Sequence, residues 1–156
     1  MLNAYDVSLY FLSRARDKDC GDIISNLKMQ KLLYYAQGNF LATLDKPLFN
    51  DKIEAWRHGP VVKNVYDRYK KYGKLAIDFI ELDNFQSEKY NDDHVDVLAY
   101  VFNKYNSLSA WELREKTHEE APYINNYNEH INRIISQEDI KNFFKQEIAK
   151  EARQYL

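Results

Sequence analysis

Cysteine is nearly absent from this 156-residue sequence, and the single one, Cys20, excludes a disulfide bond within the chain. Such usage is typical of a reducing compartment. Cys20 itself could be a reactive thiol or an incidental one. No stretch approaches the roughly 20 apolar residues of a membrane-spanning helix, and the early Asp6 argues against a signal peptide. We therefore expect a cytoplasmic protein with no membrane partner.

A basic excess is also missing, because 22 lysines and arginines are set against 24 acidic residues, for a formal net charge of -2. Proteins that bind nucleic acid in general usually have a clear basic excess. The charge therefore argues against nucleic acid as the partner, although it leaves a local basic face open. The four glycines are scattered singly, which excludes a Gly-rich phosphate loop.

No recognisable pattern joins the residue types that catalyse reactions or bind metals. The four histidines form neither an HExxH motif nor a zinc-type spacing. His118, beside Glu119 and Glu120, could perform acid–base chemistry, but we favour a cap on the preceding helix end. Residues 92–96, with three aspartates and a histidine, could bind a metal, but we favour a helix start. We expect no catalytic residue, metal or cofactor, and hence no enzyme.

What the sequence does contain is a globular composition, with 45% hydrophobic and 15% aromatic residues, including 13 tyrosines. The length is that of one domain, residues 1–156, which can bury a core of its own. Tyrosine combines a large ring with a polar tip, which suits both core edges and binding surfaces.

The stretch IEAWRHGPVV (residues 53–62) is the starting point for predicting the rest of the fold. Ile53–Trp56 has the alternation of a short strand. Gly59 can adopt backbone angles closed to other residues, and Pro60 suits the first position of a helix. From Val61, apolar residues recur at helical spacing and predict a helix that ends at Gly73.

Apolar periodicity and capping residues predict further helices. Their approximate bounds are Asn3–Arg16, Ser25–Leu44, Asp92–Tyr105, Ala110–Thr117 and Gln137 to the C-terminus. The second has the broadest apolar stripe and is expected at the centre of the core. Lys28, Lys31 and Gln37 lie on its other faces, and Gly38 could let another backbone approach closely.

The remaining segments give weaker signals. Residues 75–80 could form a strand that pairs with residues 53–56, whereas residues 118–133 resist assignment. Two strands alone would be marginal, so they must lie against the helices. The expected fold class is mainly α, a compact helical domain with a small two- or three-stranded antiparallel β element.

The most suggestive charge feature is the basic stretch from Lys63 to Lys74, in which tyrosines are interleaved. It could bind nucleic acid or an acidic protein surface, or it could be an ordinary solvated face. Tryptophan, tyrosine and arginine anchor interfaces most often. Side-chain type and position give nine partner-binding candidates: Lys31, Tyr35, Trp56, His58, Lys63, Tyr66, Arg68, Tyr69 and His118.

Several motifs also follow one another in a characteristic order. They are NLKMQKLLYYAQG (26–38), KPLF (46–49), IEAWRHGPVV (53–62), VY (65–66), LS (108–109), Leu113, TH (117–118) and APY (121–123). This series resembles the Panacea domain, the family of SocA-type antitoxins and phage-associated GepA-like proteins, over nearly the whole chain. Met29 and Tyr123 are conservative departures, at positions where leucine and tryptophan are common.

The resemblance implies an antitoxin that neutralises a cognate toxin encoded nearby, by direct protein–protein contact. The family pairs with unrelated toxins, including small alarmone-synthetase-like enzymes, and its fold is mainly helical with a small β element. Some members carry an added DNA-binding domain, for which this chain leaves no room. A nucleic-acid-binding regulator, a proteolytic adaptor and a homodimer stay open as alternatives.

Overall fold

The structure is a computed structural model that describes residues 1–18 and 24–154, so Cys20 lies outside the described residues. The α-helices are α1 (Ala4–Asp17), α2 (Asn26–Leu44), α3 (Lys63–Tyr69), α4 (Asp92–Tyr105), α5 (Ala110–Thr117), α6 (Ala121–Ile124) and α7 (Gln137–Arg153). The strands are β1 (Ile53–Trp56), β2 (Gly59–Val62) and β3 (Arg133–Ile135). Short 3₁₀ helices span Lys70–Tyr72, Phe79–Asn84 and Ser87–Lys89.

Capping hydrogen bonds confirm the predicted helix starts. The side chains of Asn3, Ser25, Ser109 and Ser136 accept N–H bonds from the first turns of α1, α2, α5 and α7. A helix leaves its first N–H groups without partners, so these bonds fix where each helix begins. At α4 the cap is Asn91. The acidic segment that follows Asn91 therefore starts a helix, the alternative that the sequence favours.

Helix α2 lies at the centre of the core, as its apolar stripe predicts. It packs against α1, α4, α5, α7 and β2, and every residue from Lys28 to Leu41 is buried. Lys28, Lys31 and Gln37 do lie on other faces of the helix, but those faces are covered as well. Because an unpaired polar group is costly to bury, each of these side chains needs a partner inside the protein.

Strands β1 and β2 form an antiparallel hairpin in which Trp56 pairs with Gly59. Arg57 and His58, the two residues between them, form the turn. A two-residue loop is the tightest common hairpin connection, and it requires unusual backbone angles. Gly59 has a φ of 112°, which a residue with a side chain rarely adopts.

The helix predicted to begin at Val61 is wrong, because Gly59–Val62 forms β2 and α3 begins at Lys63. The strand tolerates Pro60 because β2 lies at the edge of the sheet, where a missing N–H costs little. The predicted end at Gly73 is confirmed. Its φ of 58° closes the 3₁₀ turn that follows α3.

The predicted pairing of residues 75–80 with β1 is also wrong. Ala76 forms an isolated β-bridge with Ser25, and the Asp78 side chain then caps a 3₁₀ helix. The partners of β1 are β2 on one side and β3 on the other, both antiparallel. The fold is thus mainly α with a small three-stranded antiparallel sheet, as the sequence predicts, but two of its strands come from unexpected segments.

Gly38 permits a close approach, although by a side chain rather than by a backbone. A Cβ atom placed on Gly38 would overlap the ring of Phe144. Phe144 is buried and belongs to α7, which packs along α2. The absence of a side chain at this position therefore sets how closely the two helices meet.

We expect Gly38→Ala to destabilise the protein, although alanine is the better helix former by about 1 kcal/mol. Overpacking of a core typically costs about 1–3 kcal/mol, so the free energy of unfolding should fall in urea denaturation followed by circular dichroism. The double variant Gly38→Ala/Phe144→Leu should lose less than the sum of the two single changes. Strict additivity would contradict a direct contact.

Candidate partner-binding groove

A groove of about 690 Å³ opens beside the β1–β2 hairpin. Its walls come from the start of α2, the hairpin turn, α3 with its 3₁₀ extension, and the start of α5. Three aromatic residues line it: Trp56, Tyr66 and Trp111. Elements far apart in the sequence meet here because the hairpin lies against α2, so the groove is a product of tertiary packing.

The aromatic rings give the groove an apolar surface that is partly open to solvent. Trp111 is 57% exposed, and the guanidinium carbon of Arg114 lies 4.4 Å from its ring centroid. Trp56 packs edge-on against Tyr66 with ring centroids 4.9 Å apart, and its Nε1 donates to Glu54 Oε1 at 3.3 Å. Rigid aromatic rings of this kind are the usual anchors of protein interfaces.

Two residues of α2 hold the hairpin in place. Lys31 Nζ donates to the carbonyl oxygen of Pro60 at 3.0 Å, and Gln30 Oε1 accepts the N–H of Val62 at 2.9 Å. A Cβ atom on Gly59 would lie 2.7 Å from Lys31 Cε. Glycine is therefore needed at position 59 for two reasons: the backbone has a positive φ, and the Lys31 side chain passes where a Cβ atom would stand.

The charge state of Lys31 is unusual because its side chain is fully buried. Burial, with the nearby positive charge of Arg114, lowers the pKa of Lys31 to about 7. Its hydrogen bond goes to a backbone carbonyl rather than to a carboxylate. Near neutral pH a substantial fraction of Lys31 is therefore uncharged in the folded protein.

The turn is also held from the side of α5 and α6. The two ring nitrogens of His118 lie 2.7 Å from the carbonyl oxygen of Arg114 and 3.0 Å from that of Arg57. The hydroxyl of Tyr123 donates to the carbonyl oxygen of Trp56 at 2.6 Å. His118 thus caps the end of α5, as the sequence favours, and in addition it supports the hairpin turn.

The side chains of His118, Glu119 and Glu120 lie in different surroundings. Glu119 is exposed, whereas Glu120 is buried and accepts hydrogen bonds from Tyr35 Oη at 3.1 and 3.2 Å. Burial raises the pKa of Glu120 to about 7. His118 and Glu120 thus have different hydrogen-bond partners, whereas acid–base chemistry needs groups within reach of one reacting atom.

The nine partner-binding candidates fall into three groups. Those that line the groove are Trp56, His58 and Tyr66. Those that are fully buried, and so offer no side-chain surface in this structure, are Lys31, Tyr35 and Tyr69. Those that lie elsewhere and are exposed or half-buried are Lys63, Arg68 and His118.

Acidic neighbours neutralise much of the basic stretch. Lys63 Nζ lies 2.6 Å from Asp67 Oδ2. Arg68 and Lys71 approach the two oxygens of the buried Glu81, at 3.1 and 3.4 Å. The exposed Lys63–Asp67 pair contributes little to stability, but all three ion pairs reduce the net charge that this face presents to a partner.

Sequence reasoning missed Trp111 among the candidates. A signal was available, because Leu113 is the inward residue of α5 and a position two residues away lies on another face of a helix. An aromatic residue on an outward face could therefore have been noticed. The hairpin that brings Trp56 near the same groove could not be inferred from local periodicity.

Comparison with known proteins places the chain in a family. Residues 29–124, more than half of the chain, match the family model described as Antitoxin SocA-like, Panacea domain. The chain belongs to this family. The matched segment contains the hairpin, α3 and α5, which form most of the groove, and the family predicted from the motif order is confirmed.

A curated relative agrees with this assignment. The chain is 50% identical over 54 residues to Antitoxin SocA of Caulobacter vibrioides (strain NA1000 / CB15N). The match covers 35% of this chain and 29% of that protein, so it spans less than a third of the relative's length. No solved structure gives a significant match.

Within residues 1–18 and 24–154, no helix combines the length and the apolar character needed to cross a bilayer. Within the same ranges, no three or more His, Cys, Asp or Glu side chains are arranged so that they could hold a metal ion.

We expect Lys31→Met to flatten the pH dependence of stability. Between the folded pKa of about 7 and an unfolded value of about 10.4, the unfolded chain binds more protons. Lys31 should therefore contribute a rise in the free energy of unfolding of on the order of 2 kcal/mol between pH 7 and 9. The methionine variant should lack this rise in urea denaturation.

The exposed Lys46 supplies the control, since Lys46→Met should keep the slope of the original protein. The comparison uses the slope and not the absolute stability, because Lys31→Met also removes the hydrogen bond to Pro60. Equal slopes in the original protein and Lys31→Met would contradict the lowered pKa.

Proposed function

We propose that this protein is an antitoxin that neutralises a cognate toxin, encoded nearby, by binding it directly through the groove beside the hairpin. Membership of the SocA-like Panacea family supports the antitoxin role. The observation that carries the choice of surface is the exposed Trp111 in a groove that Trp56 and Tyr66 also line.

The way in which the groove is built favours tight binding. Its hairpin is fixed by buried hydrogen bonds from α2 and by contacts from α5 and α6. A surface that is already ordered loses less conformational entropy when a partner binds. A standard interface takes about 800 Å² from each partner, which is about a tenth of the 8609 Å² of accessible surface on this chain.

The proposed role is binding, with no reaction catalysed by this chain. His118 and Glu120, the residues closest to an acid–base pattern, are occupied by the hairpin turn and by Tyr35. Neutralisation by contact needs only that the bound antitoxin covers a surface that the toxin requires. Of the alternatives, nucleic-acid binding is supported by the basic groove residues and opposed by the net charge of -2.

We expect Trp111→Ala to abolish or strongly weaken neutralisation when the protein is co-expressed with the product of the neighbouring gene. Loss of an interface anchor typically costs about 2 kcal/mol or more, which is about 30-fold in Kd. Growth rescue, co-purification and calorimetric titration of the purified pair measure the effect. Tyr100→Ala, an exposed aromatic residue on α4, is the matched control and should bind normally.

Two outcomes would count against the proposal, and they separate its parts. If folded Trp111→Ala rescues growth as well as the original protein does, the groove is not the docking surface. If the original protein neither rescues growth nor co-purifies with the neighbouring product, direct neutralisation of that toxin is contradicted.

A further inference from the structure

The charged side chains among the described residues that line the groove all have the same sign. Arg57, Lys70 and Lys74 contribute positive charge to its walls, and none of the described lining residues is acidic. This differs from the chain as a whole, in which acids slightly outnumber bases. The groove is therefore a local basic face on an acidic protein.

Two of these cations have no ion-pair partner among the residues that the structure describes. The side chains of Arg57 and Lys74 make no salt bridge with any residue in the described part of the chain, whereas Lys70 lies 3.7 Å from Asp67. Nearby, Arg114 is paired with Glu115 at 2.7 Å. Arg57 and Lys74 come from the hairpin turn and from the segment after α3, so they offer charge from two different walls of the groove.

Cationic side chains surround His58 at the groove, and the Arg114 guanidinium donates a hydrogen bond from Nε to His58 Nδ1 at 3.0 Å. Burial lowers the pKa of His58, and the positive charges of Arg114, Arg57 and Lys31 lower it further. The positive charges of Arg114 and Arg57, which act on His58 in addition to burial, would favour a carboxylate at this place in the groove.

Acidic residues stand close to the groove but outside its lining. Glu54 accepts a hydrogen bond from Trp56, Asp67 pairs with Lys63 and Lys70, and Glu115 pairs with Arg114. Carboxylates this close to the groove repel a long polyanion such as nucleic acid more than they repel a short acidic segment, which carries fewer charges.

The shape of the groove and its charge together point to one occupant, and this inference depends on the proposed antitoxin function. We propose that the groove binds a short acidic segment of the toxin, with an aliphatic or aromatic side chain against Trp56 and Trp111. Aspartate or glutamate residues on either side of that side chain contact Arg57 and Lys74. The toxin is thus recognised by an apolar anchor flanked by carboxylates.

A peptide probe tests this without the toxin. The probe is the capped hexapeptide Asp-Asp-Leu-Phe-Asp-Asp. Two comparison probes are the same peptide with lysine in place of aspartate and an oligo(dT) of similar length. Binding is followed by the fluorescence of the tryptophans. We expect the acidic peptide to bind, more weakly as salt is raised, and the other two probes to bind at least 10-fold more weakly.

Charge reversal locates the site. Arg57→Glu/Lys74→Glu should weaken the acidic peptide at least 10-fold, and the neutral Arg57→Gln/Lys74→Gln should give a smaller loss. Lys46→Glu is the matched control and should change binding less than twofold. Lys46 is exposed and follows the far end of α2, about 28 Å along the helix from its start.

The same charge-reversed variant can be used to select toxin mutations that restore neutralisation. We expect these mutations to replace aspartate or glutamate with lysine or arginine. Three results would overturn the inference: the basic peptide binds as tightly as the acidic one, oligo(dT) binds more tightly than the acidic peptide, or the groove variants and the Lys46 variant change binding equally. Peptide binding without neutralisation of the neighbouring gene's product would support the acidic-segment site and contradict only the proposed function.

Discussion

The buried contact between Lys31 and the Gly59–Pro60 backbone decides where the hairpin lies, and the groove depends on it. A lysine without a carboxylate partner is costly to bury as a cation, and its lowered pKa of about 7 reduces that cost near neutral pH. Its stem passes where a side chain on Gly59 would stand, and its amine meets the carbonyl of Pro60. The hairpin therefore has one preferred position on α2.

Other polar side chains along α2 also form hydrogen bonds with backbone groups of the segments around it. Asn26 donates to the carbonyl of Tyr66, Gln30 accepts from Val62, and Gln37 bonds the backbone of Phe49. Buried backbone groups must be paired, and segments without regular partners depend on side chains. The polar faces of α2 thus hold in place the chain that forms the groove.

Local signals in the sequence were sufficient for the helix starts, because capping by residues such as Ser25 and Ser109 acts within one turn. They were insufficient for β2 and β3, whose strand character depends on pairing with β1. The burial of Lys31, Tyr35 and Tyr69 was equally hidden. Whether these side chains are exposed depends on which elements cover them, which is a tertiary property. The grouping of Trp56 and Tyr66 depends in the same way on the position of the hairpin.

The most direct test of the account is photocrosslinking in cells with benzoylphenylalanine placed at single positions. The probe at position 111, in the groove, should crosslink to the toxin. The probe at position 127, where Tyr127 is exposed on the segment before β3, should not. A crosslink from position 127 together with none from position 111 would contradict the assignment of the toxin to the groove.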